Sequence, residues 1–486
     1  MRIALAVAAV AAALVTVGPA AAFTPTDPDF AKQWYLAQDH AFDAWPDPPP
    51  PTLFSPVRVA IIDSGIDAGH PEFIGRILAG RSFVAGDWRN DVEGHGTFVA
   101  GMITADLDGQ GIAGVGAEAP IQLLIAKVVR DDGTIPLAAE SAAIRWAADS
   151  GARVINLSLG GVRDPRNLAR DTFSQREADA VAYAYQRGAV LVAAVGNSDE
   201  APATPWPWAS YPAALPHVIG VSALAKNGTV PGFSNRDRIY NDLAAPGQDI
   251  FSTFPRDLTA LRAGCTDQGY SDCGTDDYRH PEGTSFAAPQ VTAAAAVLIS
   301  LDPSLRPDQT ASILEHTADD VNATNGCRQC PLLRDSFTGW GRLDIAKAIG
   351  ALQGPLPPPD RYEANDDAGS HAHTVYGATG TLDATLDYYD DPVDVYRLWL
   401  RKGQRLTAHL SGEAGTSIAL VLWKPGTVAI NDLRSQRLRA AQSAKPGPDE
   451  QIAYRVLKTG WYFVEAKVTA PTQAAAQYEL SFAKTR

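Results

Sequence analysis

Apolar positions follow two different patterns along this chain. In the first two thirds they come in short, nearly continuous runs, Val57-Arg58-Val59-Ala60-Ile61-Ile62, Val154-Ile155-Asn156-Leu157-Ser158-Leu159 and Val190-Leu191-Val192-Ala193-Ala194-Val195. Runs of this length without alternation predict strands buried on both faces, as in a parallel sheet. They alternate with helical stretches at 138–148 and 178–186, so helices should cover the sheet. A further Ala-rich helix is predicted over 286–301, with Pro289 in its first turn. Beyond Gly354-Pro355-Leu356-Pro357-Pro358-Pro359, a stiff extended linker, the pattern changes. Segments 393–398, 406–410, 418–423, 452–456, 461–468 and 478–482 alternate with period two or run apolar between turns, which predicts a small β-sandwich. The expected fold is therefore α/β, a doubly wound and mostly parallel sheet, followed by a small all-β sandwich. The expected boundaries are 23–352, a linker at 353–360, and 361–486.

Residues 1–22 fit neither pattern. Met1-Arg2 is a short positive start, residues 3–17 are apolar, and Gly18-Pro19 precedes Ala20-Ala21-Ala22. This is the layout of a secretory signal cut after Ala22, and the apolar run is shorter than the roughly 18 residues a membrane span needs. The expected product is exported, with no membrane partner, and acts as a monomer. A net charge of −14, with no basic cluster to neutralise phosphates, argues against nucleic acid. The four cysteines permit three pairings, of which the simplest joins Cys265 to Cys273 and Cys327 to Cys330, each closing a local loop. Export favours two local disulfides over a zinc site.

Three segments carry candidate chemistry, in the order acid, base, nucleophile. Asp63 ends the run 57–62, at the end of a strand where open α/β sheets place their sites. His95 lies between Gly94 and Gly96, which allow other backbone to approach the imidazole. Ser285 follows Gly283-Thr284 and opens the Ala-rich helix, whose dipole favours developing negative charge. A serine hydroxyl attacks a carbonyl only when an imidazole takes its proton, and the imidazole needs a carboxylate to fix its tautomer. The run 190–195 ends in Gly196-Asn197, which on its own would read as a turn.

At Asp63-Ser64-Gly65, Gly94-His95-Gly96-Thr97 and Gly283-Thr284-Ser285-Phe286-Ala287-Ala288-Pro289 the chain resembles the subtilisin-like serine proteases, the subtilases. The resemblance runs from about Asp27 to about Leu352. It implies a secreted serine endopeptidase acting on proteins or peptides, with Asp63, His95 and Ser285 as orienter, general base and nucleophile and Asn197 as oxyanion donor. It also implies substrate contacts at Gly133, Ser158, Gly160, Ala194, Gly196 and Ser210. No acidic residue clearly lines that pocket, so apolar or aromatic side chains are expected before the scissile bond. No cofactor is required and no metal is assigned to the site. A structural calcium at Glu72 and Asp108 stays open against an ordinary Asp-Gly turn. The C-terminal part resembles the bacterial pre-peptidase C-terminal domain, at Glu363-Ala364-Asn365-Asp366 and Asp391-Pro392-Val393-Asp394-Val395-Tyr396, acids expected as solvated turn residues in preference to a calcium site.

Three departures from the family stand out. About forty residues separate Ala22 from Asp63, too few for the usual folding prodomain, so folding without one is expected. The segment 257–281 is long, polar and stapled by Cys265 and Cys273, either a cleft rim that restricts substrates or surface decoration. Phe286 stands where many relatives carry an oxidisable Met. The alternatives to broad digestion are a processing protease of restricted specificity and a non-catalytic surface-binding protein on the same scaffold. The esterase elbow Gly-x-Ser-x-Gly, with its Ser…Asp…His order, does not fit.

Overall fold

The computed structural model describes residues 22–45, 47–48, 51–354, 358–430, 435–469 and 476–485. Residues 1–21 of the expected export signal and 355–357 of the expected linker lie outside the described residues. Strands β1 (Val57–Asp63), β2 (Ile77–Ser82), β3 (Ile121–Lys127), β4 (Val154–Leu157), β5 (Val190–Ala194), β6 (Val218–Leu224) and β7 (Leu243–Pro246) form one sheet in the order β2-β3-β1-β4-β5-β6-β7. Every neighbouring pair in it is parallel. From β1 the chain first builds outward through β2 and β3, then crosses to β4 on the other side. That reversal opens a crevice beyond the C-terminal end of β1, where Asp63 sits.

Strand periodicity assigns the two faces. Val57, Val59 and Ile61 pack against the helices His95–Thr104 and Thr284–Leu301. Ala60 and Ile62 turn to the opposite face, toward the helices Leu137–Asp149 and Gln175–Gln186. The helix Thr284–Leu301 is buried almost all round, which explains its Ala-rich, nearly moment-free composition. It is the one helix among the described residues long and apolar enough to cross a membrane, and it lies in the core.

Pro289 is not in the first turn of this helix, contrary to expectation, but follows it inside the helix that begins at Thr284. A proline there leaves the carbonyl four residues earlier without its helical donor. That carbonyl belongs to Ser285, and the Ser158 hydroxyl donates to it at 2.7 Å. The tertiary contact supplies what the helix lacks.

Further along, β8 (His373–Val375), β9 (Thr379–Leu386), β10 (Val393–Leu400), β11 (Arg405–Gly412), β12 (Ile418–Trp423), β13 (Arg439–Ser443), β14 (Asp449–Arg455), β15 (Gly460–Val468) and β16 (Ala476–Thr485) form two sheets. Their orders are β13-β12-β15-β10-β8 and β14-β11-β16-β9. Apart from the parallel β8–β10 pair, neighbours are antiparallel. The core between the sheets holds Leu398, Leu406, Leu410, Leu420, Val464 and Leu480.

This β region docks at the start of the helix Pro307–Thr317. Arg306 Nη2 reaches Asp308 at 2.8 Å, Glu363 at 3.0 Å and Asp366 at 3.3 Å. Gln309 Nε2 donates to Asp390 Oδ2 at 2.9 Å. A cavity of about 570 Å³ between the two parts is lined by Val190 and Val218, the first residues of β5 and β6. The contact thus falls at the N-terminal ends of the parallel strands, opposite Asp63. The acids expected as solvated turn residues are not solvated. Asp394 and Asn365 are fully buried, Asp391 is buried, and Glu363 and Asp366 are half-buried.

Candidate active site

Asp63 closes β1 and is buried. One of its oxygens accepts the Ser64 N–H at 2.7 Å. His95 Nδ1 lies 2.9 Å from Asp63 Oδ1 and 3.0 Å from Oδ2, so the carboxylate grips that nitrogen and leaves Nε2 free for another partner. His95 is the first residue of its helix, after Gly94 with φ of 101°. A Cβ on Gly96 would lie 2.1 Å from the Gly65 carbonyl oxygen, so only glycine lets the helix start press against the β1 turn.

A buried carboxylate that the motif reading passed over braces this helix start. Asp91 Oδ1 accepts from Ser64 Oγ at 2.9 Å and from Gly94 N at 2.8 Å. Its Oδ2 accepts from Thr97 N at 2.9 Å and Thr97 Oγ1 at 2.7 Å. Ser64 Oγ in turn accepts from Gly96 N at 2.9 Å. An anion against the first N–H groups of a helix is favourable, and here it also ties the His95 helix to the strand carrying Asp63. The signal available was an acid two to four residues before a Gly-His-Gly-Thr turn. Lys127, also buried, donates to the Ser64 carbonyl at 2.7 Å.

Burial would lower the His95 pKa, but the Asp63 charge and hydrogen bond, then the charges of Glu93 and Asp91, outweigh it and push it up to about 9. Three carboxylates thus favour the protonated form of the imidazole.

Ser285 is the second residue of its helix. A Cβ built on Gly283 would lie 3.0 Å from Ser285 Oγ and 3.4 Å from Asn197 Nδ2, so the hydroxyl and the amide flank one small space. Asn197 Oδ1 accepts from Thr284 N at 3.0 Å and Thr284 Oγ1 at 3.1 Å, which fixes the amide with its N–H groups toward that space. Asn156 Nδ2 donates to Ser158 Oγ, and Thr292 Oγ1 to Asn156 Oδ1, both at 2.9 Å. These buried bonds lock β4 to the helix that carries Ser285.

The other expected contacts divide. Gly160, Gly196 and Ser210 converge: a Cβ on Gly160 would meet Ser210 Cβ at 3.3 Å, and one on Gly196 would meet Ser210 Oγ at 2.2 Å. Ala194 ends β5 two residues before Gly196. The Ser158 hydroxyl is spent on Ser285, leaving its backbone to meet a ligand. Gly133 sits at φ of 77° in a turn closed by its N–H to the Arg130 carbonyl at 2.9 Å, with no atom near its Cβ direction. No contact ties it to the others.

Glu72 and Asp108 both bond protein groups. Glu72 Oε1 accepts from Tyr270 OH at 2.7 Å and Ile112 N at 3.1 Å, while Asp108 closes its own turn onto Gln110. Burial pushes the Glu72 carboxyl up to about 7. Cys265–Cys273 and Cys327–Cys330 are both bonded.

The Subtilase family model matches residues 55–341, well over half of the chain. The chain belongs to the subtilase family. It is similar to fervidolysin of Fervidobacterium pennivorans, 36% identical over 62% of this chain and 41% of that protein. It is similar also to thermitase of Thermoactinomyces vulgaris, 33% identical over 67% of this chain and 99% of that one. The chain thus spans less than half of fervidolysin but nearly all of thermitase. Among solved structures, a protease of Pseudoalteromonas arctica PAMC 21717 aligns with a TM-score of 0.52 and 26% identity, over 68% of this chain and all of the other. Sphericase aligns at 0.50 and 28%, over 64% of this chain and 97% of its own. As a subtilase the chain is a serine protease of the subtilisin type.

Proposed function

We propose that this subtilase cleaves proteins as an endopeptidase through an acyl-enzyme on Ser285. His95 Nε2 takes the Ser285 Oγ proton as Oγ bonds to the scissile carbonyl carbon. The resulting imidazolium is held by Asp63, and the oxyanion is held by Asn197 Nδ2 and the Ser285 N–H. The imidazolium then gives its proton to the leaving amine as the C–N bond breaks. Water, activated by His95, releases the acyl group. The observation that carries this reading is the shared space between Ser285 Oγ and Asn197 Nδ2 at Gly283.

The side chain before the scissile bond enters between Gly160 and Gly196 above Ser210, a space without an acid at its base, and apolar or aromatic residues suit it. The Gly133 turn offers an exposed backbone edge to which an extended peptide adds as a strand. The enzyme is exported through residues 1–22 and works as a monomer. The chain divides at 353–360, and residues 361–486 form a module of the pre-peptidase C-terminal kind.

No cofactor takes part in the chemistry, but a structural cation is proposed in that module. Glu363, Asp391 and Asp394 each bring a carboxylate oxygen within 4.8 Å of the others. Asn365 is fully buried beside them, with neither side-chain amide atom paired to protein. Oxygen donors of this kind suit calcium. Calcium should raise the thermal midpoint of the chelated protein, and Asp391→Ala should abolish that rise; no effect on wild type removes the proposal.

Intact mass after treatment with a fluorophosphonate tests the catalytic reading. One adduct on wild type and none on Ser285→Ala is expected. No adduct on folded wild type overturns it.

A further inference from the structure

The segment between Phe254 and the helix of Ser285 packs back onto the site. It sends two tyrosines inward. Tyr270 bonds Glu72, as described. Tyr278, half-buried, sits in the short helix Asp276–Arg279 and packs on Phe254 at 4.7 Å and Phe98 at 5.9 Å between ring centroids. It meets the His95 imidazole edge-on at 6.4 Å, while Phe286 lies 5.6 Å from the same imidazole and 4.7 Å from Phe98. Phe254 also lies against Gly94, where a Cβ would come within 2.2 Å of its ring. The imidazole is therefore gripped at Nδ1 by Asp63 and flanked by two aromatic rings, Tyr278 from the stapled insertion and Phe286 from the helix of Ser285, with Phe98 and Phe254 packed behind them.

We propose that Tyr278 is a positioning residue for His95: its ring completes the wall that keeps the imidazole turned with Nδ1 on Asp63 and Nε2 toward Ser285. The proposal rests on the triad reading above. A hydrogen bond to Asp63 fixes where Nδ1 lies but leaves the ring free to rock about that contact. A side chain packed against the ring edge removes that freedom, and small displacements of a catalytic group are costly.

The insertion is built to hold Tyr278 still. The Cys265–Cys273 disulfide closes its loop. Arg262 donates to the Gly274 carbonyl at 2.7 Å and pairs with Asp276 at 2.9 Å, so the turn leading to Tyr278 is clamped on both sides. Phe254 N and Ser271 N bond back to the Gly269 and Ser252 carbonyls at 2.8 and 3.0 Å.

Tyr278 also keeps water from the ion pair. The charged groups around the imidazole are Asp63 at the end of β1, Asp91 and Glu93 in the loop before its helix, and Lys127 of β3 beyond Glu93. The Tyr278 hydroxyl lies in the field of the same three carboxylates and of Asp277, and burial first, then those charges, holds its pKa well above the phenol range. Letting water in would screen every one of these interactions and return the imidazole toward its ordinary value.

The test compares wild type, Tyr278→Ala, Tyr278→Leu and Tyr278→Phe for kcat, KM, the acidic limb of kcat/KM and fluorophosphonate labelling. Tyr278→Ala should lose about tenfold or more in kcat with KM within about twofold, and its acidic limb should move toward pH 6.5. Tyr278→Phe should stay within about twofold of wild type, since it keeps the ring. Tyr278→Leu serves if the Ala variant does not fold. Labelled wild type together with a folded Ala or Leu variant of unchanged kcat and pH limb overturns the proposal, as does a Phe variant as impaired as Ala. Wild type that takes no label overturns the triad reading itself. Replacing both Cys265 and Cys273 by Ser should reproduce a smaller part of the Tyr278→Ala loss, and full activity there overturns the role of the staple.

Discussion

Replacing Asp91 by Asn perturbs the site without touching a reacting group. The carboxylate is buried and accepts from Ser64 Oγ, Gly94 N, Thr97 N and Thr97 Oγ1 at 2.7–2.9 Å. An Asn side chain keeps one acceptor oxygen and places an NH₂ where the other stood. Whichever way it turns, donors then face donors on one side. A hydrogen bond to a charged acceptor contributes roughly 1.5–3 kcal/mol, and the two on one side share a single oxygen, so the loss should be about 3 kcal/mol. For a large domain that corresponds to a fall in melting temperature of roughly 6–12 °C. Activity should fall as well, because the side that loses its acceptor holds either Ser64 Oγ, which accepts from Gly96 N, or Thr97, and both brace the helix start that carries His95. About a tenfold drop in kcat is expected. Differential scanning calorimetry and steady-state kinetics on one peptide substrate measure both. A melting temperature within about 2 °C of wild type and an unchanged kcat would refute the brace.

The rise of kcat/KM with pH should lie well above 6.5, toward the value of about 9 to which the three carboxylates push His95. Because that pKa is raised on folding, the His95–Asp63 pair adds stability fully below about pH 6.5 and loses it as pH climbs through about 9, so activity should rise where this contribution fades. A limb at 6.5 would show that the field of Asp63, Glu93 and Asp91 is not felt. Asn197→Ala should lower kcat by about 10²–10³ with little change in KM; a loss confined to KM would remove Asn197 from the oxyanion. Wild type should keep its activity in mild peroxide, since Phe286 borders the site and Met102, the one methionine besides Met1, is fully buried. Phe286→Met should make it peroxide-labile, and equal loss in both would contradict the reasoning.

The fold was legible in the sequence, and the residues proposed as the reactive set stand out in it for the same reason. A strand buried on both faces must be apolar throughout, so 57–62, 154–159 and 190–195 announce themselves, and the polar residue that ends such a run, Asp63 or Asn197, stands out against it. Gly96 could be read as close approach because only glycine allows it. Tertiary contact alone decided the supporting parts. Ser158 meets the Ser285 carbonyl across 127 residues, and that contact is what lets Pro289 sit past the first turn. Tyr270 reaches Glu72 across 198 residues, and Asn365, Asp391 and Asp394 are buried although their sequence reads as turn. Periodicity records which way a side chain faces from its own element. It carries no information about which distant group lies there, because that depends on how separate elements pack.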